Sequence, residues 1–188
     1  MHGHVHVHDY ETASRSRQDE RLRLRDRLQA RVDGGGIYAE LQSERTLAPQ
    51  VTFGIFGNSI HSNDASSHGG GASLLAAADD DPQSDGAVAP TEAAISFHNN
   101  LIANNLARDA TAGGSSGGGV RGLARARGAL AQATLAPSFL TVASNETELG
   151  TGGVEFQDLL LPDSLGGSGT ASFALTNSIV TDNNGYGV

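Results

Sequence analysis

The chain has 188 residues, a formal net charge of −9, 25 glycines, 5% aromatic residues, no Trp and no Cys. The missing cysteine excludes disulfides, thiol catalysis and Cys-ligated zinc, and no apolar run reaches the eighteen residues a membrane-spanning helix needs. Abundant glycine beside few aromatics argues against one large aromatic-anchored core. It suggests a thin core of small aliphatic residues, repeated and turned at many sharp corners.

Charge is distributed unevenly. All twelve basic residues are Arg, and seven of them lie between Arg15 and Arg31. From Val32 onward five Arg stand against sixteen Asp and Glu, about −11 by formal count. Such a body repels phosphate backbones, so no nucleic-acid partner is expected.

In chain order, His2, His4, His6 and His8 alternate and would share one side of a strand, where two or three could hold Zn²⁺ or Cu²⁺. An exposed terminus, or the outer face of a degenerate coil with Val5 and Val7 inward, accounts for them better. Residues 1–10 lack the apolar centre of a signal peptide. Asp19–Val32 carries an apolar stripe at Leu24, Leu28 and Val32, with Asp19 and Arg23 spaced as an i,i+4 ion pair; an amphipathic helix is expected there. Asp19, Glu20 and Asp26 are interleaved with the Arg residues and, with Asp9 and Glu11, bring residues 1–31 to about +2, and no aromatic lies among the Arg side chains. A solvated helix face fits better than a nucleic-acid or lipid site. Residues 1–33 therefore read as a degenerate first coil plus an Arg-rich helical insertion, and 34–188 as the repeat body.

Two motifs alternate through that body. One is an apolar alternating strand ending in Asn: Gly54-Ile55-Phe56-Gly57-Asn58-Ser59-Ile60, Ile95-Ser96-Phe97-His98-Asn99-Asn100-Leu101 and Phe173-Ala174-Leu175-Thr176-Asn177-Ser178-Ile179. Asn63, Asn104 and Asp182 follow each leading Asn by five residues, and Val5–Asp9 and Leu140–Ser144 are weaker copies. The other is a glycine cluster opening a short strand: Gly34-Gly35-Gly36-Ile37, Gly69-Gly70-Gly71-Ala72, Gly117-Gly118-Gly119-Val120, Gly152-Gly153-Val154 and Gly185-Tyr186-Gly187-Val188. Alternation with period two puts one face of each strand inward. Clustered glycines persist where backbones pass close together or turn at positive φ. Asn tolerates the left-handed bend, and its amide can bond to the amide stacked on it in the next coil.

This alternation resembles bacterial right-handed parallel β-helix repeats, those of the pectin-lyase-like superfamily and of the polymorphic outer-membrane protein passengers. Gly70-Gly71-Ala72 and Phe97-His98-Asn99-Asn100 are similar to the passengers' Gly-Gly-Ala-Ile and Phe-x-x-Asn boxes, with Ser73 where those have Ile. The resemblance implies an all-β, right-handed parallel β-helix (solenoid) of about four to five coils with inserted loops, and it is nearly silent on activity.

Within that frame, Ile60, Leu101 and Ile179 are expected to stack in one inward column, and Phe56, Phe97 and Leu175 in another. Asn58, Asn99 and Asn177 would form an amide column, interrupted at the Ser144 coil, so that Asn99→Leu would strand neighbouring amides. Tyr10–Asp33, Ser73–Ala93, Arg121–Ser138 and Gln157–Thr170 are expected as inserted loops, the last three on one flank. Within them Arg121–Ala136 reads as a short helix, and Ala76–Ala89 as removable without loss of fold. Gly185–Val188 opens a strand motif that is not completed, so flanking coils of a longer chain are expected.

Asp79, Asp80, Asp81 and Asp85 lack the glycine-containing spacing of a calcium loop and read as a solvated acidic loop. Asn145-Glu146-Thr147 is a glycosylation sequon. Sugar-bond cleavage needs two carboxylates about 5–9.5 Å apart, yet Asp64 and Asp182 meet no acid at equivalent positions of neighbouring coils. No catalytic, cofactor-binding or metal residue and no cofactor is therefore assigned. The expected function is a structural or adhesive module, extracellular or on the cell surface, binding polysaccharide or a surface protein through the loop flank. The alternatives are a carbohydrate-active enzyme (a pectin-lyase-type lyase or glycoside hydrolase) and a non-functional fragment of a longer β-helix protein.

Overall fold

The computed structural model describes residues 35–44, 50–66, 68–80, 90–108, 117–148, 150–162, 167 and 169–185. The degenerate first coil, the helix expected over Asp19–Val32, the Arg15–Arg31 cluster, His2, His4, His6, His8, Asp81 and Asp85 lie outside them.

The described strands follow a fixed cycle. β1 (Ile37–Glu44), β2 (Gln50–Phe56), β3 (Ser59–His61) and β4 (Asp64–Ala65) make one coil. β5 (Ala72–Asp79), β6 (Thr91–His98), β7 (Leu101–Ala103) and β8 (Leu106–Ala107) make the second. β9 (Val120–Arg127), β10 (Ala131–Ser138), β11 (Thr141–Ala143) and β12 (Glu146–Thr147) make the third. The fourth contains β13 (Val154–Leu161), β14 (Thr170–Phe173) and β15 (Ile179–Thr181), and ends on a bridge from Asn184 to Glu146. Each strand pairs in parallel with its counterpart one coil away, giving sheets β1-β5-β9-β13, β2-β6-β10-β14, β3-β7-β11-β15 and β4-β8-β12. The fold is all-β, with parallel strands in stacked sheets, an arrangement compatible with a β-helix or solenoid.

Period-two patterning builds this stack. In β6, Thr91, Ala93, Ile95 and Phe97 are buried while Glu92, Ala94, Ser96 and His98 face outward. In β10, Ala131, Ala133 and Leu135 are buried. The core between the sheets is filled by Ala, Ile, Leu and Val with a single fully buried Phe, Phe97. It is the thin small-aliphatic core that the composition implies.

Of three stretches expected as loops, one is nearly all strand and the other two run into strands at both ends. Arg121–Ala136 is β9 and most of β10, joined by Gly128-Ala129-Leu130, with no helix. Ala and Arg favour helices, but Val120, Gly122, Ala124 and Ala126 fall inward while Arg121, Leu123, Arg125 and Arg127 fall outward. Tertiary burial of that alternation overrides propensity. Gln157–Thr170 begins inside β13, and Ser73–Ala93 contains most of β5 and the start of β6. Ala76–Asp79 belong to β5, so deleting Ala76–Ala89 would remove half a core strand. Two connections vary in length between coils: that from the first sheet to the second, 128–130 in the third coil against 80–90 and 162–169 in the second and fourth, and that from the fourth sheet to the next coil, 108–119 against 66–71 and 148–153.

The register also differs from expectation. Ser59, Leu101, Thr141 and Ile179 are one column, and Ile60, Ile102, Val142 and Val180 the next. Ile60 is therefore inward and buried, while Leu101 and Ile179 face out. Likewise Ile55, and not Phe56, pairs with Phe97; Phe56 pairs with His98 and is exposed. A one-residue slip turns every side chain to the opposite face. Asn99 thus aligns with Gly57, Phe139 and Asn177 at a corner where all four take positive φ. Leu140–Ser144, expected to copy Ile95–Asn99, contains β11 and aligns with Asn100–Asn104.

Because the Asn99 side chain points to solvent, its contribution is conformational. Asn99→Leu should cost only about 1 kcal/mol, the penalty of a left-handed bend for a residue without a short polar side chain. Urea denaturation would measure it; a loss of ~3 kcal/mol would restore the buried-ladder reading of Asn99.

The first and fourth described coils are unlike. Ile37, Leu41, Ile55 and Ile60 of the first coil are buried, whereas Leu160, Phe173, Leu175 and Val180 occupy inward columns of the fourth and are 38–47% exposed. Phe156 and Phe173 stack there at 5.2 Å between ring centroids.

Candidate binding corner

The inward polar side chain is the leading Asn58 itself in the first motif, but one residue further along in the other two, at Asn100 and Ser178. Asn58 donates its side-chain Nδ2 to Asn100 Oδ1 at 3.0 Å, and Asn100 Nδ2 donates to the Ile55 carbonyl at 3.1 Å. Leu140 interrupts this ladder, and beyond it Ser178 Oγ accepts the Leu140 N–H at 3.0 Å. The second ladder is continuous. Asn63, Asn105 and Asn145 donate Nδ2 to the Oδ1 of Asn105, Asn145 and Asn183 at 2.9, 2.8 and 2.9 Å. The same oxygens accept the backbone N–H groups of Asn63, Asn105 and Asn145.

The glycine clusters face this ladder. A Cβ on Gly36, Gly71 or Gly119 would stand 2.7–2.9 Å from the Nδ2 of Asn63, Asn105 or Asn145. The two motifs alternate because they touch: the corner amides leave no room for side chains opposite them. Asn105 and Asn145, bonded through both the oxygen and the nitrogen of the amide, are saturated by structure and have no capacity left for a ligand.

Outside the same stack, at the corner between the second and third sheets, Phe56, His98 and Phe139 form a row across three coils. Their ring centroids are 6.0 Å (Phe56 to His98) and 5.1 Å (His98 to Phe139) apart, both edge-on. His98 Nδ1 and Ser138 Oγ share a hydrogen bond of 2.8 Å that fixes the imidazole. Phe56 folds its ring over Gly54, where a Cβ would collide with it. Phe139 has φ 52°, a left-handed conformation that Gly57, Asn99 and Asn177 take easily at the other three levels. For a bulky residue the cost is about 1–2 kcal/mol, and Phe139 is 52% exposed, so burial does not offset it. Beside the row lies a shallow open groove of about 300 Å³ whose walls include Ser59, Asn99, Leu101, Phe139 and Thr141. The sequence reading missed this site. Phe139 becomes conspicuous only when its column, otherwise Gly and Asn, is known.

The other candidates are held elsewhere. Asp64 is gripped by Arg108, whose Nε and terminal nitrogen lie 2.9 and 2.8 Å from its oxygens, and Glu148 is 3.6 Å from the same guanidinium. The Asp64 hydrogen bond and charge, with a smaller contribution from Glu148, raise the Arg108 pKa above its ordinary value. This exposed acid–Arg–acid chain over successive coils closes on itself. Asp182 lies at an outward corner with φ 53°. Asp79 faces Arg127 at 3.6 Å. Asp80, expected in a solvated loop, is 1% exposed and accepts the Leu130 N–H through Oδ2 at 3.1 Å. It is inward because it continues the alternation of β5. Asn145 of the sequon is fully buried, and its Nδ2 donates to the Ile102 and Ala143 carbonyls and to Asn183, so it is no glycan acceptor in the folded chain. Among the described residues no three His, Asp or Glu side chains gather as a metal set, and no helix is long and apolar enough to cross a membrane.

What fold and surface define is a stacked parallel-sheet protein with structural amides inside and an aromatic corner outside. No family model, curated protein or solved structure matches the chain.

Proposed function

We propose that the chain is a right-handed parallel β-helix in the style of the pectin-lyase-like superfamily. In this reading it serves as a structural or adhesive module, extracellular or on the cell surface, that binds glycans or partner proteins. The observation that carries the reading is the Phe56–His98–Phe139 row, two exposed phenyl rings and an oriented imidazole set beside a polar groove. A strained aromatic residue held out to solvent is favoured by contact with a ligand and not by folding. The binding surface is accordingly this corner, in place of the loop flank suggested by the sequence. The parallel stack supplies rigid spacing at about 4.8 Å per coil, so that side chains on successive coils form a repeating platform.

The test sets binding against turnover. Purified chain should retain polysaccharide or a surface protein on beads, while polygalacturonate incubated with it gains neither reducing ends nor the ultraviolet absorbance of unsaturated products. Catalytic release of either kind would overturn the module reading in favour of a carbohydrate-active enzyme.

A further inference from the structure

We infer that the aromatic corner binds a neutral glycan chain, with one sugar ring seated on the exposed face of Phe139 and the chain running along the stack axis past His98 toward Phe56. The inference rests on the module reading above and names the ligand class of that site.

Three observations select the class. The first concerns backbone groups. A peptide docking as an added strand would need a row of free N–H and C=O groups, but the N–H groups of Gly57, Asn99, Leu101, Phe139 and Thr141 at this corner all donate between coils. Gly57 N–H donates to the His98 carbonyl, Asn99 N–H to Ser138 and Phe139 N–H to Thr176. Leu101 N–H and Thr141 N–H donate to the Asn58 and Asn100 carbonyls. These five N–H groups are therefore not free to pair with a docking strand.

The second is charge. The groove residues include neither a cation nor a carboxylate, and the chain carries −9 overall. A polyanion would find no counter-charge and would meet long-range repulsion.

The third is the kind of side chain presented. Ser59 and Thr141 bring hydroxyls and Asn99 brings an exposed amide, beside the flat apolar face of Phe139 and the side chain of Leu101. That set matches a sugar, which has an apolar C–H face and a rim of hydroxyls. The coil-to-coil step of about 4.8 Å is comparable to the length of a sugar ring, so one chain along the axis can meet equivalent positions in succession.

The strain at Phe139 gives the decisive variant. Phe139→Asn installs the residue type found at the same column in Asn99 and Asn177, so it should raise the melting temperature while removing the sugar platform. Phe139→Gly, matching Gly57, serves as the second variant. Affinity electrophoresis would compare the full chain and both variants on soluble neutral polysaccharides (β-glucan, xylan, galactomannan and α-glucan), on polygalacturonate and on gelatin. The expected result is retardation by at least one neutral polysaccharide, undiminished in 1 M NaCl, and weakened tenfold or more in both variants. Retardation by no neutral polysaccharide, binding unchanged in the variants, or binding abolished by salt would each overturn the inference. Phe139-dependent binding to gelatin alone would overturn the glycan class and leave the module reading standing. Breakdown of polygalacturonate would instead remove the module reading.

Discussion

Asn105→Leu is expected to lower the stability of the chain by about 3 kcal/mol, seen as a lower denaturation midpoint at unchanged slope. Asn105 is 1% exposed. Its Oδ1 accepts both the backbone N–H and the Nδ2 of Asn63, and its Nδ2 donates to the Ile60 carbonyl and to Asn145 Oδ1. Leucine is close to asparagine in size, so the change removes bonding without opening a large cavity. It leaves the Asn63 N–H and the Ile60 carbonyl without their amide partner beside an apolar side chain, and an unsatisfied buried group costs about 1–3 kcal/mol. The ladder also couples levels, since the Asn145 oxygen loses a donor one coil away. Asn99→Leu is the internal control, with an expected cost near 1 kcal/mol. Equal losses for the two substitutions would show that the ladder bonds of Asn105 contribute no more than the left-handed bend of Asn99.

That contrast marks where the sequence was legible. Strict alternation of glycine clusters with Asn-ended strands predicted coils, and the fold has them because Gly71 and Gly119 lie against Asn105 and Asn145. The register was not legible, and the reason is local. The second coil contains Asn99-Asn100 and Asn104-Asn105, two adjacent amides at each corner, while the first has Gly57-Asn58 and Ser62-Asn63. Matching Asn58 to Asn99 is natural by residue type, but Gly57, Asn99, Phe139 and Asn177 are the ones at positive φ. Backbone conformation is what distinguishes the outward Asn from the inward one. A third-coil strand reading Val-Arg-Gly-Leu-Ala-Arg-Ala-Arg looks helical by composition. Its inward members are Val, Gly and Ala, too small to advertise a buried face. The binding corner was the least legible part. Phe56, His98 and Phe139 are 42 and 41 residues apart in sequence, and only the pairing of Phe56 with His98 and of His98 with Ser138 brings them into a row.

Gly118→Ala should be as damaging as the loss of the ladder amide, at about 3 kcal/mol. The added methyl would lie 2.3 Å from the Glu146 carbonyl oxygen and 2.4 Å from that of Gly152. Both neighbours are backbone, and neither can swing aside as a side chain would. Gly118 is itself held from both sides: its N–H donates to the Thr151 carbonyl at 2.9 Å, and its carbonyl accepts the Gly71 N–H at 3.2 Å. Relief therefore requires prising coils apart, at the expense of hydrogen bonds in more than one coil. Chain entropy works in the other direction, since Gly→Ala stiffens the unfolded chain and stabilises by about 0.4–1 kcal/mol where the native site admits a methyl. The steric term must exceed that gain, and contact with two carbonyl oxygens at these separations does. Gly57→Ala separates space from conformation, because a Cβ there meets nothing within 4 Å and only the φ of +68° opposes it. Its expected cost is about 1 kcal/mol. Chemical denaturation of the two variants side by side decides the matter, and a Gly118→Ala midpoint at or above that of Gly57→Ala would mean that the coils are not packed as closely as the Gly118 contacts require.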